Sequence, residues 1–180
     1  FHNLWTLRQM LDKFAEESCL EVPCIRAEQN PGKAIYSFIV NGQDILKFAR
    51  ISRIRRNDEG ALLGYQRTRV EDHINDIRTY LEKKDSLLPN SLVVAFDDSV
   101  SFQPTGQGSA TSQTGNLRIP IDFESRPGWI VDGQQRATAL NRLVRKDFPV
   151  SVVAFHAENP NAEREQFVLV NNVRPLPKSL

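Results

Sequence analysis

Two stretches of the chain space their apolar residues three and four apart, which is typical of amphipathic helices. The first stretch predicts a helix over residues 3–18, with one face formed by Leu4, Leu7, Leu11 and Phe14. The second predicts a helix over 69–84, with a stripe of Val70, Ile74, Ile77 and Leu81. Thr68 with Glu71 three residues later matches a capping box. This places the string GYQR, residues 64–67, just before that helix.

The segment after the first helix alternates between runs of strand-forming residues and turn signals. AIYSFIV (34–40) and DILKFARISRI (44–54) flank Asn41-Gly42, a strong hairpin signal, so these runs are expected to pair. LVVAF (92–96) is short, continuous and rich in β-branched residues, which predicts a buried strand. Residues 97–116 are rich in Gly, Ser, Thr and Gln and are predicted to form a mobile loop.

The last third of the chain predicts strands joined to helices. LVVAF is expected to pair with NLRIPIDF (116–123), and GWIV (128–131) is a strand that leads directly into a helix. The buried face of that helix is assigned to Ala137, Leu140, Leu143 and Val144. A further strand follows at 148–157, and EREQFVLVNN (163–172) is expected to be helical. The predicted fold class is therefore α/β with a mixed sheet.

Composition fits one folded domain over residues 1–180, since 40% of the residues are hydrophobic and 25% are charged. Residues 1–60 are expected to form an N-terminal helix and hairpin elaboration, and 61–180 the core, which is expected to continue beyond the chain end in a longer natural protein. No apolar run is long enough to span a bilayer and no signal peptide is evident, so a cytoplasmic location without membrane association is expected. Cys19 and Cys24 lack a second cysteine pair and are expected to remain thiols.

Charge gives a local rather than a general indication of nucleic-acid binding, because 23 basic residues are balanced by 22 acidic ones. The densest basic run consists of Lys47, Arg50, Arg53, Arg55 and Arg56, which either contacts DNA phosphates or forms a solvated strand edge. The three histidines are scattered, and neither a P-loop nor a Gly-x-Ser-x-Gly elbow occurs. Zinc sites, HNH nuclease centres, serine hydrolases and conventional P-loop ATPases therefore have no support.

The string DGQQR, Asp132 to Arg136, lies where a predicted strand meets a helix N-terminus, and such junctions bind anions. Gly133 would let a phosphate approach the backbone, and Arg136 could clamp it. Asp132 would repel phosphate unless a Mg²⁺ ion lay between them. The alternative is structural: Asp132 caps the helix, and Gln134 and Gln135 are surface residues.

IVDGQQRATAL is similar to the signature of DGQHR and DGQQR proteins of the ParB-like superfamily. That group includes the DndB regulators of DNA phosphorothioation, the DpdB proteins of deazapurine DNA modification, and the amino-terminal domains of SspE and GmrSD-type restriction enzymes. GYQR with LPNSLVVAF upstream, and QFVLVNNVRPLPKSL downstream, resemble DndB-like proteins in the same order, covering about 62–180. Gln135 stands where DGQHR members have His, which favours a DpdB-like or looser DndB-like protein.

The resemblance implies a ParB/sulfiredoxin-like fold whose DGQQR loop binds or hydrolyses ATP or another nucleoside triphosphate with Mg²⁺. The site is then catalytic at Asp132, Gln134, Gln135 and Arg136, with Asp132 also holding the metal, and cofactor-binding at Gly133, Thr138, Gln66 and Arg67. Arg67 is placed at the nucleotide or phosphodiester; the alternative is a surface salt bridge, with Tyr65 in the core. For Asn171 and Asn172, helix capping is favoured over lining the cleft.

Three functions follow. The first is an NTP-hydrolysing component of a prokaryotic DNA-modification or phage-defence system, working with DNA and other proteins of that system. The second is a DNA-binding transcriptional regulator of a phosphorothioation system, with Arg50, Arg53 and Arg55 contacting DNA. The third, a ParB-like nuclease, is the weakest, because no acidic cluster suited to two metals is evident. Assembly into a homo-oligomer is compatible with each of them.

Overall fold

In the computed structural model the described residues are 19–51 and 62–157, without 107, 110 and 123; for 62–69 only the backbone is described. The helices predicted at 3–18 and 163–172 lie outside these ranges, as do Arg53, Arg55, Asn171 and Asn172. None of the helices within the described ranges is long and apolar enough to cross a membrane.

The described chain forms an eight-stranded mixed sheet with three helices. The strands are β1 (Cys19–Asn30), β2 (Lys33–Asn41), β3 (Ala49–Ile51), β4 (Leu92–Phe96), β5 (Ser101–Pro104), β6 (Ser112–Pro120), β7 (Gly128–Asp132) and β8 (Pro149–His156). The helices are α1 (Ile45–Phe48), α2 (Leu62–Leu81) and α3 (Gln134–Asn141). The predicted mixed α/β class is confirmed, whereas the ParB/sulfiredoxin-like assignment stays a prediction.

The spatial order of the strands is β3-β7-β4-β8-β2-β1-β6-β5. Neighbours run antiparallel except in the β3/β7 and β4/β8 pairs, which are parallel. β2 lies between β8 and β1. The segment expected as an N-terminal elaboration therefore supplies three strands of the same sheet that carries the DGQQR string.

One hydrophobic cluster joins the sheet to α1, α2 and α3. Phe38 of β2 and Phe96 of β4 stack with ring centroids 6.4 Å apart, and Phe48 of α1 contacts Phe96 at 6.0 Å. Alternation along β1 buries Val22 and Cys24, as expected for a strand with one face on the core. The core thus supports β4 and β7, the strands from which the candidate site projects.

The hairpin predicted at Asn41-Gly42 is wrong. β2 forms its hairpin with β1 across residues 30–33, where Gly32 has φ +73°. After Asn41 the chain turns into α1, and β3 pairs in parallel with β7. A Cβ on Gly42 would lie 2.8 Å from Leu140 Cδ2, so this glycine permits close packing against α3. A contact with a distant helix therefore overrides the local turn signal.

The helix predicted at 69–84 begins earlier and ends earlier, at Leu62 and Leu81. Thr68 therefore lies inside α2, and its assignment as an N-cap is wrong. GYQR therefore forms part of the helix instead of preceding it. His73 is exposed.

The loop predicted at 97–116 is wrong as well, because β5 and the start of β6 form an antiparallel hairpin within it. Backbone hydrogen bonds along β1 and β5 order this polar segment without much apolar burial. β6 does not pair with β4, whose neighbours are β7 and β8. The predicted pairing of LVVAF with NLRIPIDF is therefore wrong, although LVVAF is a buried central strand as expected.

Around the DGQQR string the predictions are confirmed. β7 is followed directly by α3, and β8 occupies the strand predicted at 148–157. Ala137 and Leu140 are fully buried and Leu143 is nearly so. Val144 is the exception, since it lies beyond the end of α3 and is 83% exposed.

Candidate functional site

The DGQQR string forms a sharp junction between β7 and α3. Asp132 ends the strand, Gly133 adopts φ +86° and ψ 24°, and Gln134 begins the helix. A Cβ on Gly133 would lie 2.3 Å from Leu92 Cδ2, in addition to the strain of a left-handed conformation. The fold itself therefore requires glycine here, whether or not a ligand binds.

Gly133 is also the N-cap of α3, and it provides no side-chain hydrogen bond to the helix. The amide of Ala137 donates to the Gly133 carbonyl at 2.8 Å, which closes the first turn. The amides of residues 134–136 precede the first intrahelical donor and have no carbonyl partner within the helix. The positive end of α3 is therefore free of a capping side chain from its N-cap residue.

Asp132 and Arg136 pair with each other across this turn. Arg136 Nη2 donates to Asp132 Oδ2 at 3.0 Å, while Nη1 donates to the carbonyl oxygens of Asn90 at 2.7 Å and Ser91 at 3.1 Å. The Arg136 side chain is 19% exposed and that of Asp132 is 56% exposed. Arg136 thus joins the DGQQR turn to the residues that precede β4, and it offsets the charge of Asp132.

The two glutamines differ in their surroundings. Gln134 Nε2 donates to the Ile130 carbonyl at 3.3 Å, and the Gln134 carbonyl accepts the Thr138 hydroxyl at 2.8 Å. Gln135 is half-buried, and its side chain makes no hydrogen bond to the described residues. Within the described part of the chain, Gln135 is therefore the glutamine of the two whose side-chain amide has no hydrogen-bond partner.

The turn lines one side of a cleft of about 700 Å³. Val131 and the whole DGQQR string form that side, and Leu88 contributes from the connection before β4. The other side is a face of α2 formed by His73, Asp76, Ile77, Tyr80 and Leu81. This volume lies in the range of pockets that hold small ligands.

α2 and α3 are held together by an ion pair at the edge of the described helices. Arg142 Nη1 donates to Glu71 Oε2 at 2.8 Å and Nη2 to Oε1 at 3.4 Å. The hydrogen bond from Arg142 lowers the pKa of the Glu71 carboxyl below its usual range. Glu82 near the end of α2 accepts a hydrogen bond from the Val144 amide at 2.7 Å. These contacts fix the wall that faces the DGQQR turn.

Comparison with known families identifies the group to which this arrangement belongs. The DndB family, described as DNA-sulfur modification-associated, matches residues 22–180. The chain belongs to the DndB family. No curated protein and no solved structure matches it. The family match includes β2 and most of β1, and therefore extends well upstream of the motifs on which the sequence-based resemblance rested.

Charge in the DndB-family cleft is mixed. Asp76 and Asp132 are acidic, Arg136 is paired with Asp132, and His73 stands on α2. In the described part of the chain, no group of three or more His, Cys, Asp or Glu residues is placed to hold a metal ion. A Mg²⁺ ion in such a cleft would take one or two carboxylates together with phosphate oxygens and water. Asp132 fits that role, because its other oxygen, Oδ1, makes no hydrogen bond to a described residue.

Not every predicted site residue is seen at the cleft in the described part of the chain. The side chains of Gln66 and Arg67 lie outside the description, so their expected contact with the nucleotide stays a prediction. Arg50 lies on β3 and does not line the cleft. Its Nε and Nη2 donate to the Arg126 carbonyl at 3.3 and 2.8 Å. Any DNA contact by Arg50 would therefore use a surface separate from the cleft lining.

Sequence reasoning missed the contribution of α2 to the cleft. His73, Asp76 and Tyr80 recur at three and four residues and so share one helix face. That spacing was visible in the sequence, next to the apolar stripe. The sequence does not show that this polar helix face lies opposite the DGQQR turn, because that placement depends on how α2 packs against α3.

Proposed function

We propose that this DndB-family protein is a component of a DNA phosphorothioation system that binds a nucleoside triphosphate with Mg²⁺ in the DGQQR cleft. The observation that carries the proposal is the left-handed turn at Gly133, which leaves the N-terminal amides of α3 without an N-cap side chain beside a cleft of about 700 Å³. Backbone amides at a helix N-terminus bind phosphate without needing a basic side chain.

Mg²⁺ is part of the proposal for an electrostatic reason. Asp132 and Asp76 both line the cleft, and among the described residues Asp132 has an ion-pair partner whereas Asp76 has none. A polyphosphate entering alone would meet net repulsion from these carboxylates. Nucleotide affinity is therefore expected to require a divalent cation, with Asp132 as a protein ligand.

Hydrolysis is proposed as a consequence of binding, with Gln135 in the central role. Its amide is available to orient a water molecule, whereas Gln134 is held to the Ile130 carbonyl. Arg136 already donates three hydrogen bonds inside the protein, so its proposed role is to position the turn and to balance Asp132. This differs from the phosphate clamp that the sequence suggested for Arg136.

Gln135→Glu tests this proposal, because it adds a negative charge to the cleft at nearly constant size. Weaker Mg·ATP binding by about tenfold or more is expected, together with loss of phosphate release measured with and without DNA. The matched control is Gln103→Glu, the same change at an exposed residue of β5 outside the cleft lining. Equal affinity of both variants for Mg·ATP would contradict nucleotide binding in this cleft.

A DNA-binding regulator is the second candidate, supported by the position of Arg50 on β3. β3 is an outer strand of the described sheet, Arg50 is exposed there, and its guanidinium is oriented by the Arg126 carbonyl. Loss of one phosphate contact reduces the slope of log affinity against log salt by about 1. Arg50→Gln is expected to show that reduction on promoter DNA, whereas Arg78→Gln, which removes an exposed arginine from α2, is not.

A further inference from the structure

We propose that the ring of Tyr80 is the surface on which the base of the bound nucleotide stacks. This rests on the proposed function and extends it, since it assigns a side chain of the cleft to the base of the nucleoside triphosphate. Tyr80 lines the cleft from α2, and 44% of its surface is exposed. Stacking on an aromatic side chain is a common way for proteins to hold a base without selecting its identity.

The Tyr80 ring is held in place by its hydroxyl. The hydroxyl donates to the Leu87 carbonyl and accepts from the Leu87 amide, with both distances 3.1 Å. Because both bonds go to one residue, the far end of the ring is fixed relative to the connection that leads to β4. A ring already fixed loses little side-chain entropy when a ligand binds.

The cleft is amphipathic in the way a nucleotide requires. Ile77, one helical turn before Tyr80, contributes apolar surface together with Leu88 and Val131. Polar groups come from the DGQQR turn, where the first amides of α3 receive no side-chain hydrogen bond from the N-cap residue. A ligand with one flat apolar part and one anionic part would satisfy both kinds of lining.

A purely structural role for Tyr80 is the competing explanation, because its hydroxyl also fixes the connection between α2 and β4. Two substitutions separate the roles. Tyr80→Phe removes the hydroxyl and keeps the ring, whereas Tyr80→Leu removes both. If Tyr80 stacks on the base, Tyr80→Phe should retain the preference for a base and Tyr80→Leu should lose it. If the role is only structural, both variants should lose it, because both lack the hydroxyl.

The experiment compares the affinities of Mg·ATP and Mg·tripolyphosphate for the full chain by titration calorimetry. The native protein is expected to bind Mg·ATP at least about fivefold more tightly than Mg·tripolyphosphate, the lower end of the effect of one stacked base. This ratio is expected to fall to about 1 in Tyr80→Leu and to stay above about fivefold in Tyr80→Phe.

The outcomes separate this inference from the proposed function. Failure of the native protein to bind either probe overturns both. Binding of both probes with equal affinity, or a ratio lost equally in the Phe and Leu variants, overturns stacking and leaves the phosphate site intact. If Tyr80→Leu does not fold, Tyr80→Trp tests stacking instead. Mg·ATP, but not Mg·tripolyphosphate, is expected to quench the fluorescence of the introduced indole. Equal responses to the two probes would overturn stacking.

Discussion

At the scale of single residues, Gly133 belongs to a motif interpreted as a ligand site, and the fold also requires this glycine for its backbone conformation. Its left-handed backbone and its contact with Leu92 both require the absence of a side chain. The sequence suggested that Gly133 makes room for phosphate. The structure adds that the Leu92 side chain of β4 occupies the space that a Cβ on Gly133 would need. The glycine was predictable from the strand-to-helix junction, whereas the contact with Leu92 was not, because it depends on the pairing of β4 with β7.

Gly133→Ala is expected to lower the free energy of unfolding by several kcal/mol, on the order of 1–2 from the left-handed backbone and about 1–3 from overpacking. Gly32→Ala is the matched control, since φ is +73° there but a Cβ would meet nothing within 4 Å. The control should lose only the unfolding free energy that comes from the left-handed backbone. Equal losses in urea unfolding would contradict the collision with Leu92.

The two cysteines are expected to differ in reactivity. Burial raises the pKa of the Cys24 thiol to about 11, a rise partly opposed by a backbone hydrogen bond with Leu117. Since the thiolate is the nucleophile, Cys24 should resist alkylation at pH 8 in the folded protein and react on unfolding. Cys19 is half-buried and should be labelled first. Mass spectrometry of iodoacetamide-treated protein measures this order, which simultaneous labelling would contradict.

At the scale of elements, local sequence patterns predicted strands and helices best where the element buries apolar residues in the core. β4, β7 and β8 were found from their apolar runs because each buries at least one face. The polar β5 and the start of β6 were missed because backbone pairing orders them, and pairing is not visible in composition. Asn41-Gly42 was misassigned for a related reason: packing against Leu140 decides its conformation.

The pair between α2 and α3 gives a prediction about pH. Because Arg142 lowers the pKa of Glu71 in the folded state, the stabilisation is fully present above about pH 4.5. It is lost as the pH falls through the lowered value. The free energy of unfolding of the native protein should therefore exceed that of Glu71→Gln at pH 7, and this difference should disappear in strong acid. High salt should narrow it as well.

A double-variant cycle checks the origin of that gap. Arg142→Gln removes the other member of the pair, so the double variant should lose less stability than the sum of the two single losses. Urea midpoints at pH 7 measure all four proteins under one condition. Strict additivity would show that the two side chains stabilise α2 and α3 independently.

At the scale of the whole molecule, the candidate site draws on distant parts of the chain. The DGQQR turn, the connection before β4 and the face of α2 meet only because the sheet and α3 arrange them. The family and the position of the turn could be predicted from sequence. The cleft could not, since its second wall depends on tertiary packing between helices.

Ligand binding gives a prediction for the whole molecule. A ligand that binds only the folded state raises the unfolding free energy by about 2.7 kcal/mol at one hundred times its dissociation constant. Mg·ATP should therefore raise the thermal midpoint, and ATP with a chelator should not. Scanning calorimetry measures both. An equal midpoint with and without Mg²⁺ would contradict the role given to the cation.

The parallel pairing of β3 with β7 has a kinetic consequence. Ala49–Ile51 must meet Gly128–Ile130 across a long intervening segment, so a costly chain closure precedes this contact. The β1/β2 hairpin closes over a few residues and needs no such search. The β3/β7 contact, and with it the strand that leads into the candidate site, is therefore expected to form after the β1/β2 hairpin.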